Sequence, residues 1–140
     1  MLNFVCIFLF PFILFAKQNF GNIIVDEITS IYDGDTFRIN ISSYPDIIGK
    51  NISIRINGID TPEIRGKCEK EKDLARKSKQ LTVSTLRNAK KIELRNIQKG
   101  KYFRIVADVY VDNKSLADIQ IKNKLAIKYN GRTKIKNWCE

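Results

Sequence analysis

Five stretches of the chain alternate apolar and polar residues, and this alternation constrains the fold more than any other feature. Successive side chains of a β-strand point to opposite faces, so the pattern is typical of strands that bury one face. It predicts strands at residues 23–32, 36–41, 51–59, 91–97 and 102–112. The chain is therefore predicted to be mainly β.

Two further segments have helical character. Residues 69–88 contain no glycine or proline, and their leucines stand among charged residues, which predicts an amphipathic helix. Residues 115–124 predict a shorter helix, with Ser115 as its N-cap and Asp118 in its first turn. The leucines of the longer segment are Leu74, Leu81 and Leu86. The whole order predicts an α+β fold: a five-stranded OB-type β-barrel with a helix between strands 3 and 4 and a short C-terminal helix.

Length and the first residues define the domain organisation. A chain of 140 residues with 44% hydrophobic content supports one compact domain, which we place at residues 17–140. Residues 1–16 are apolar almost throughout and carry no charge, which predicts an export signal that is cleaved. An uncleaved membrane anchor is the alternative, although the segment is shorter than the roughly 20 residues of a usual spanning helix. We expect an exported protein, periplasmic or secreted.

The charge of the chain restricts its partners and its chemistry. The formal net charge of +10 favours a polyanion such as nucleic acid, or an anionic membrane surface. Nothing in the sequence implies an obligate protein partner, and we expect a monomer. Because the chain has no histidine, histidine-dependent triads and zinc hydrolases are excluded. Acid-base chemistry must use carboxylates, lysine, tyrosine or water.

Cys68 and Cys139 are the cysteines that follow the N-terminal segment. In an exported chain this even pair predicts a disulfide, whereas in the cytosol it would more often be two unrelated thiols. A bond between them would clamp the C-terminal tail beside the segment that precedes Cys68. Two sulfurs without histidine make a zinc site unfavourable.

The acidic pair in "IYDGDTFRINI" contains one residue that turn chemistry does not explain. Asp33 and Gly34 form a strong hairpin-turn signal. Asp35 does not belong to that turn, because it has the same strand parity as the apolar residues after it. Those residues are Phe37, Ile39 and Ile41. A carboxylate on the apolar face indicates a functional position.

Two later stretches show related anomalies. In "NISIRINGIDTPE", Arg55 lies opposite the isoleucine face, and the strand ends in a group of oxygen-bearing side chains that includes Asp60, Thr61 and Glu63. In "KYFRIVADVYV", strand parity places Tyr102 and Arg104 together on the face opposite the apolar residues. Both stretches thus present charged groups to solvent or to a cleft.

The segments "DGDT", "RINGIDTPE" and "KYFR", in this order, resemble the three active-site segments of the staphylococcal nuclease (thermonuclease) family. The resemblance extends over nearly all of the chain after the N-terminal segment. It implies an OB-fold, calcium-dependent phosphodiesterase of the endonuclease type that acts on DNA and/or RNA.

The resemblance also implies roles for individual residues. Asp35, Asp60 and Thr61 resemble the calcium ligands, and Thr61 would act through its backbone carbonyl. Glu63 resembles the general base. The remaining matches concern the substrate: Arg55 and Arg104 resemble the phosphate-binding pair, Lys101 and Tyr102 residues near a terminal phosphate, and Tyr129 a base-packing tyrosine.

Two other functions stay open. The main alternative is a non-catalytic OB-fold module that binds nucleic acid, because relatives in Tudor-nuclease proteins keep the barrel and lose the acids. An envelope-anchored interaction domain would require the N-terminal segment to be retained. Phe103 departs from the family pattern, which often has glycine there, and could restrict the approach to Arg104.

Overall fold

A computed structural model describes residues 18–140, so the predicted export segment lies outside the described residues. The strands are β1 (Ile23–Ile24), β2 (Glu27–Ile31), β3 (Thr36–Asn40), β4 (Ile52–Ile56), β5 (Ile59–Asp60), β6 (Ile92–Lys99), β7 (Ile105–Val111), β8 (Lys114–Ser115) and β9 (Ile127–Lys128). The helices are α1 (Asp46–Gly49), α2 (Glu69–Arg87) and α3 (Leu116–Lys122). Among the described residues, no helix is both long and apolar enough to cross a membrane.

The strands form a mixed sheet that curls on itself. Its order is β1, β6, β7, β4, β3, β2, with β8 paired to β7; β4 and β7 are parallel, and the other pairs are antiparallel. β1 and β2 follow each other in the chain but occupy opposite ends of this order, and Val25 between them donates a backbone hydrogen bond to Ile92. The sheet therefore bends into a curled half-barrel. With its helices it is an OB-type α+β fold, which confirms the predicted fold class.

The alternating residues bury one face of this sheet. Phe37 of β3 pairs with Ile54 of β4, and Ile54 pairs in turn with Ile105 of β7. Each fully buried side chain of this size contributes about 1.5–3 kcal/mol. The largest ones in the core are Phe37, Ile39, Ile41, Ile54, Ile56, Ile59, Leu94, Val109 and Leu116.

Both predicted helices form, but the longer one packs differently from its leucine pattern. The face of α2 that is buried carries Glu71, Ala75, Ser78, Thr82 and Leu86. The other two leucines of the pattern are only partly buried. In α3 the prediction is confirmed in detail, because the Ser115 hydroxyl caps the helix by accepting a hydrogen bond from the Asp118 backbone N–H at 3.1 Å.

Two predicted strands, 36–41 and 91–97, differ from β3 and β6 by at most two residues at either end, and the other three differ more. The first is divided by Val25 and Asp26, where the chain crosses from one sheet edge to the other. The third ends at Ile56, after which Gly58 turns the chain with φ +79° into β5. The last begins at Ile105 rather than at residue 102. The prediction that Tyr102 and Arg104 share one strand face is therefore wrong.

Candidate active site

The three residues predicted to bind a metal lie together. Asp35 directly precedes β3 and is only 1% exposed, while Asp60 ends β5 and is also buried. The backbone N–H and the hydroxyl of Thr61 both donate to Asp35 Oδ2, at 3.3 and 3.0 Å. This pair of hydrogen bonds joins two segments that are 26 residues apart in the sequence.

Arg55 contacts both buried acids. It projects from β4, forms an ion pair with Asp35 Oδ1 through Nη1, and places Nη2 3.7 Å from Asp60 Oδ1. The same Nη2 donates to the backbone carbonyl of Ile59 at 3.1 Å. The predicted phosphate-binding arginine therefore also holds the two carboxylates in place.

Glu63 lies at the open side of this group, with 51% of its side chain exposed. It does not contact Asp60 directly. Instead, the Lys134 ammonium lies between the two, 2.8 Å from Asp60 Oδ1 and 2.5 Å from Glu63 Oε1. Burial alone would lower the pKa of Lys134, but its pairing with these two carboxylates outweighs burial and raises that pKa above its ordinary value.

Buried polar side chains of two helices hold the turn that carries Asp35. The Gly34 carbonyl accepts a hydrogen bond from the Thr82 hydroxyl at 2.7 Å and one from Gln120 Nε2 at 3.4 Å. Gln120 also forms hydrogen bonds with Ser78, so α2 and α3 together hold the turn in position. A Cβ on Gly34 would lie 1.9 Å from Ser78 Oγ, so only glycine fits at this position.

Asp33 belongs to this turn, as predicted, but it is also part of the site. Its Oδ1 accepts a hydrogen bond from the Asp35 backbone N–H at 3.1 Å, which is the bond of an Asx turn. Burial, reinforced by the neighbouring charge of Asp35, raises the pKa of Asp33 to about 7. We call Asp33, Asp35, Asp60 and Glu63 the acid cluster.

Two members of the acid cluster, Asp33 and Glu63, line a cleft of about 860 Å³ together with Arg55. Arg104 lines this cleft and keeps a buried Nε that has no hydrogen-bond partner. Lys99, Lys101 and Lys134 also line it. The cleft thus combines carboxylates on one side with several cations and an available guanidinium N–H, which suits a phosphate group.

The predicted substrate residues differ in their placement. Lys101 and Tyr129 line the cleft, and the Tyr129 hydroxyl donates to the Arg132 carbonyl. Tyr102 does not line it: the side chain is 94% exposed, in a turn where both Tyr102 and Phe103 have positive φ angles. The structure therefore brings together every predicted site residue except Tyr102.

The loop after Glu63 is held by a buried carboxylate. Glu71, in the first turn of α2, accepts hydrogen bonds from the backbone N–H groups of Glu63 and Lys67, at 3.3 and 2.9 Å. The Cys68–Cys139 disulfide lies at the start of the same helix and ties the C-terminal tail to it. The expected pairing of these two cysteines is thus present in the structure.

The sequence did not identify Lys134 or Glu71 as site residues. Lys134 stands in a lysine-rich tail with no local pattern that separates it from its neighbours. Glu71 had a usable signal, because it lies on the helical face that also carries Ala75 and Ser78. A carboxylate on a buried helix face requires partners, and Glu71 finds them in the backbone N–H groups of Glu63 and Lys67.

A match to a protein-family model shows which family the chain belongs to. The model described as staphylococcal nuclease homologue matches residues 53–138, which is more than half of the chain. The chain is a staphylococcal nuclease homologue. No curated protein matches it. Membership of this family supports a nuclease or a nucleic-acid-binding protein.

The family match covers residues 53–138, so Asp35 lies outside the matched residues. The structure nevertheless places the buried Asp35 of this staphylococcal nuclease homologue in contact with Thr61, which lies inside them. Members of this family are generally nucleases, and the nucleases among them are typically calcium-dependent.

The carboxylates of Asp35 and Asp60, with the Thr61 carbonyl, are of the kind that binds a divalent cation. Asp60 Oδ1 is buried and has no hydrogen-bond partner, since its contact with Lys134 is an ion pair without hydrogen-bond geometry. Within residues 18–140, only Arg55 and Lys134 form ion pairs with the four carboxyl groups of the cluster. Negative charge in excess, presented by hard oxygen atoms, is what Ca²⁺ prefers.

Proposed function

We propose that the protein is a calcium-dependent nuclease that hydrolyses phosphodiester bonds of DNA and/or RNA. The observation that carries the proposal is the convergence of Asp35, Asp60 and Arg55, from the turn before β3, from β5 and from β4, beside a cleft that Arg55 and Arg104 line. Surface charges scattered on a binding module have no reason to meet in this way.

Each residue has a task in the proposed hydrolysis. Asp35, Asp60 and the Thr61 carbonyl would hold calcium, which when bound polarises a phosphoryl oxygen. Glu63, exposed at the mouth of the cluster, orients the attacking water and accepts its proton. Arg104 donates to the equatorial phosphate oxygens as charge spreads over them.

Arg55 has a double task. Its Nη groups hold Asp35 and Asp60, so it orders the metal-binding carboxylates before substrate arrives. Its position among the residues that line the cleft also allows it to neutralise phosphate charge. Lys101 and Tyr129 would bind the neighbouring part of the polynucleotide, Lys101 through a phosphate and Tyr129 by stacking on a base.

One observation favours the alternative of a non-catalytic nucleic-acid-binding module. Arg55 and Lys134 neutralise part of the charge of the two buried acids without any metal. In a binding module without catalytic activity, these ion pairs would stabilise the folded barrel.

Digestion of single-stranded DNA and of RNA, with calcium and with excess chelator, separates the two functions. We expect calcium-dependent cleavage by the wild type, and none by Asp35→Asn. The matched control is Asp73→Asn, the same substitution on the exposed face of α2, which should cleave normally. Asp35→Asn should still bind the polynucleotide in a salt-dependent way. Wild-type activity in chelator, or normal cleavage by Asp35→Asn, would refute the metal assignment.

We also propose that the protein is exported. The support is the apolar N-terminal segment together with the Cys68–Cys139 disulfide, since such bonds persist in oxidising compartments. Fractionation of the host, with the N-terminal residue of the purified protein determined by mass spectrometry, tests export and cleavage together. Recovery of uncleaved protein with free thiols from the cytosol would refute this proposal.

A further inference from the structure

The C-terminal tail contributes a cation to the acid cluster. Lys134 is separated from Glu63 by 71 positions in the sequence, yet its ammonium contacts both Glu63 and Asp60. Asp60 is a proposed calcium ligand, and Glu63 is the proposed general base. The ammonium therefore pairs with both kinds of group on which the proposed hydrolysis depends.

An ammonium and a calcium ion cannot share these oxygens at close range. Lys134 Nζ lies 2.8 Å from Asp60 Oδ1, only slightly farther than the roughly 2.3–2.6 Å at which calcium binds an oxygen ligand. Two like charges separated by about 4 Å repel strongly in a partly buried site. Binding of calcium to Asp60 thus requires the lysine side chain to withdraw.

The tail keeps this lysine close to the acids. A few residues beyond Lys134, Trp138 is buried and Cys139 is bonded to Cys68 at the start of α2. Lys70 also donates to the backbone carbonyl of Glu140. A group on such a short tether has a high effective concentration at its site. The Lys134 side chain itself is 46% exposed, so it has room to move away into solvent.

We propose that Lys134 is a built-in competitor of the divalent cation, which the anchored tail holds between Asp60 and Glu63. Lys134 then determines the calcium concentration at which the acid cluster is half-occupied by calcium. This inference rests on the proposed function, because it takes the metal site as given.

Calorimetric titration of calcium into the purified full chain tests the competition directly. Lys134→Gln should bind calcium about tenfold more tightly than the wild type, a coupling of ordinary size for two ligands that exclude each other. The matched control is Lys136→Gln, which removes the same charge from an exposed position of the same tail. We expect the control to change the affinity by less than about twofold, since exposed charges are screened.

The outcomes of this titration separate the two proposals. If Lys134→Gln binds calcium no more tightly than Lys136→Gln, the competition is refuted and the metal site stands. If neither the wild type nor Lys134→Gln binds calcium, the proposed function fails together with the competition. Thermal unfolding of each variant without calcium verifies that the proteins compared are folded.

Release of the tail tests the role of its anchor. The double variant Cys68→Ser, Cys139→Ser should bind calcium more tightly than the wild type, because the effective concentration of the ammonium falls. The same release in the Lys134→Gln background should leave the affinity unchanged. An equal change in both backgrounds would show that the disulfide does not act through Lys134, and would refute the tethering.

Discussion

The acid cluster and the turn at residues 101–103 lie beside the same cleft, which Asp33, Glu63 and Lys101 line, and these two regions are held very differently. Asp35 is buried, and its turn receives hydrogen bonds from both α2 and α3. Tyr102 and Phe103 are each 94% exposed, with left-handed backbone angles. Buried hydrogen bonds therefore fix the position of Asp35, whereas the side chains of Tyr102 and Phe103 have little packing around them.

The two arginines of the cleft allow the strongest test of this difference. Arg55→Lys and Arg104→Lys keep the charge and lose the planar fork, so each should lower turnover by about 10²–10³-fold while affinity for a long polyanion changes little. Only Arg55→Lys should also destabilise the fold, by about 2 kcal/mol, because Arg55 bonds to buried partners. Steady-state kinetics and urea unfolding measure the two effects.

The exposed Arg87 provides the control for these substitutions. Arg87→Lys should change neither turnover nor stability appreciably. Near-normal turnover of Arg104→Lys would show that Arg104 is an ordinary surface charge.

Removal of the disulfide tests whether the stability of the region around the acid cluster also depends on a covalent bond. Cys68 and Cys139 are separated by 71 positions, and in the chain-entropy model a loop of that length is worth about 4 kcal/mol. Reduction, or replacement of both cysteines by serine, should lower the free energy of unfolding by up to this amount. Denaturant titrations with and without reductant measure it, and two free thiols in the non-reduced, exported protein would contradict the bond.

The substitution Gly34→Ala tests how strongly α2 and α3 hold the turn that carries Asp35. Gly34→Ala should cost about 2 kcal/mol and lower turnover, because the new Cβ meets Ser78 on α2. Ser78→Ala removes the nearest of these contacts and should restore part of the loss in the double variant. Additive losses in this double-mutant cycle would mean that Gly34 does not depend on the helix.

The exposed turn should respond least, and in the opposite direction. Phe103→Gly removes a side chain from a left-handed position with φ +58° and should raise the free energy of unfolding by about 0.5–1 kcal/mol. Phe103→Ala keeps the unfavourable backbone angle and should stay within about 0.5 kcal/mol of the wild type. A large loss of stability in either variant would show that the turn is packed and that the contrast with the acid cluster is wrong.

The local signals predicted most of the fold. The period-2 alternation of Phe37, Ile39 and Ile41 is a property of neighbouring residues, and it identified both the strand and its buried face. The Ser115 cap of α3 is equally local, because an N-cap depends on the residue and the backbone beside it. The bounds failed where the chain bends, as at Gly58, since alternation continues through a turn.

The acid cluster was predictable for a different reason. Asp35 stands on the apolar parity of the strand that follows it, so its burial and its need for a partner can be predicted from the local sequence pattern. The partners of Asp35 are Arg55 and Thr61, which come from distant segments. Their roles came from the family resemblance, and parity alone would have left them as strand-surface residues.

The chain's own residues thus settle which segments become strands and where an acid is out of place, because these properties depend on near neighbours along the backbone. Tertiary packing settles which groups meet at that acid. Lys134 comes to lie between Asp60 and Glu63 because the buried Trp138 and the disulfide at Cys139 bring the tail back to α2. No periodicity encodes that contact, since it arises from how the end of the chain is anchored.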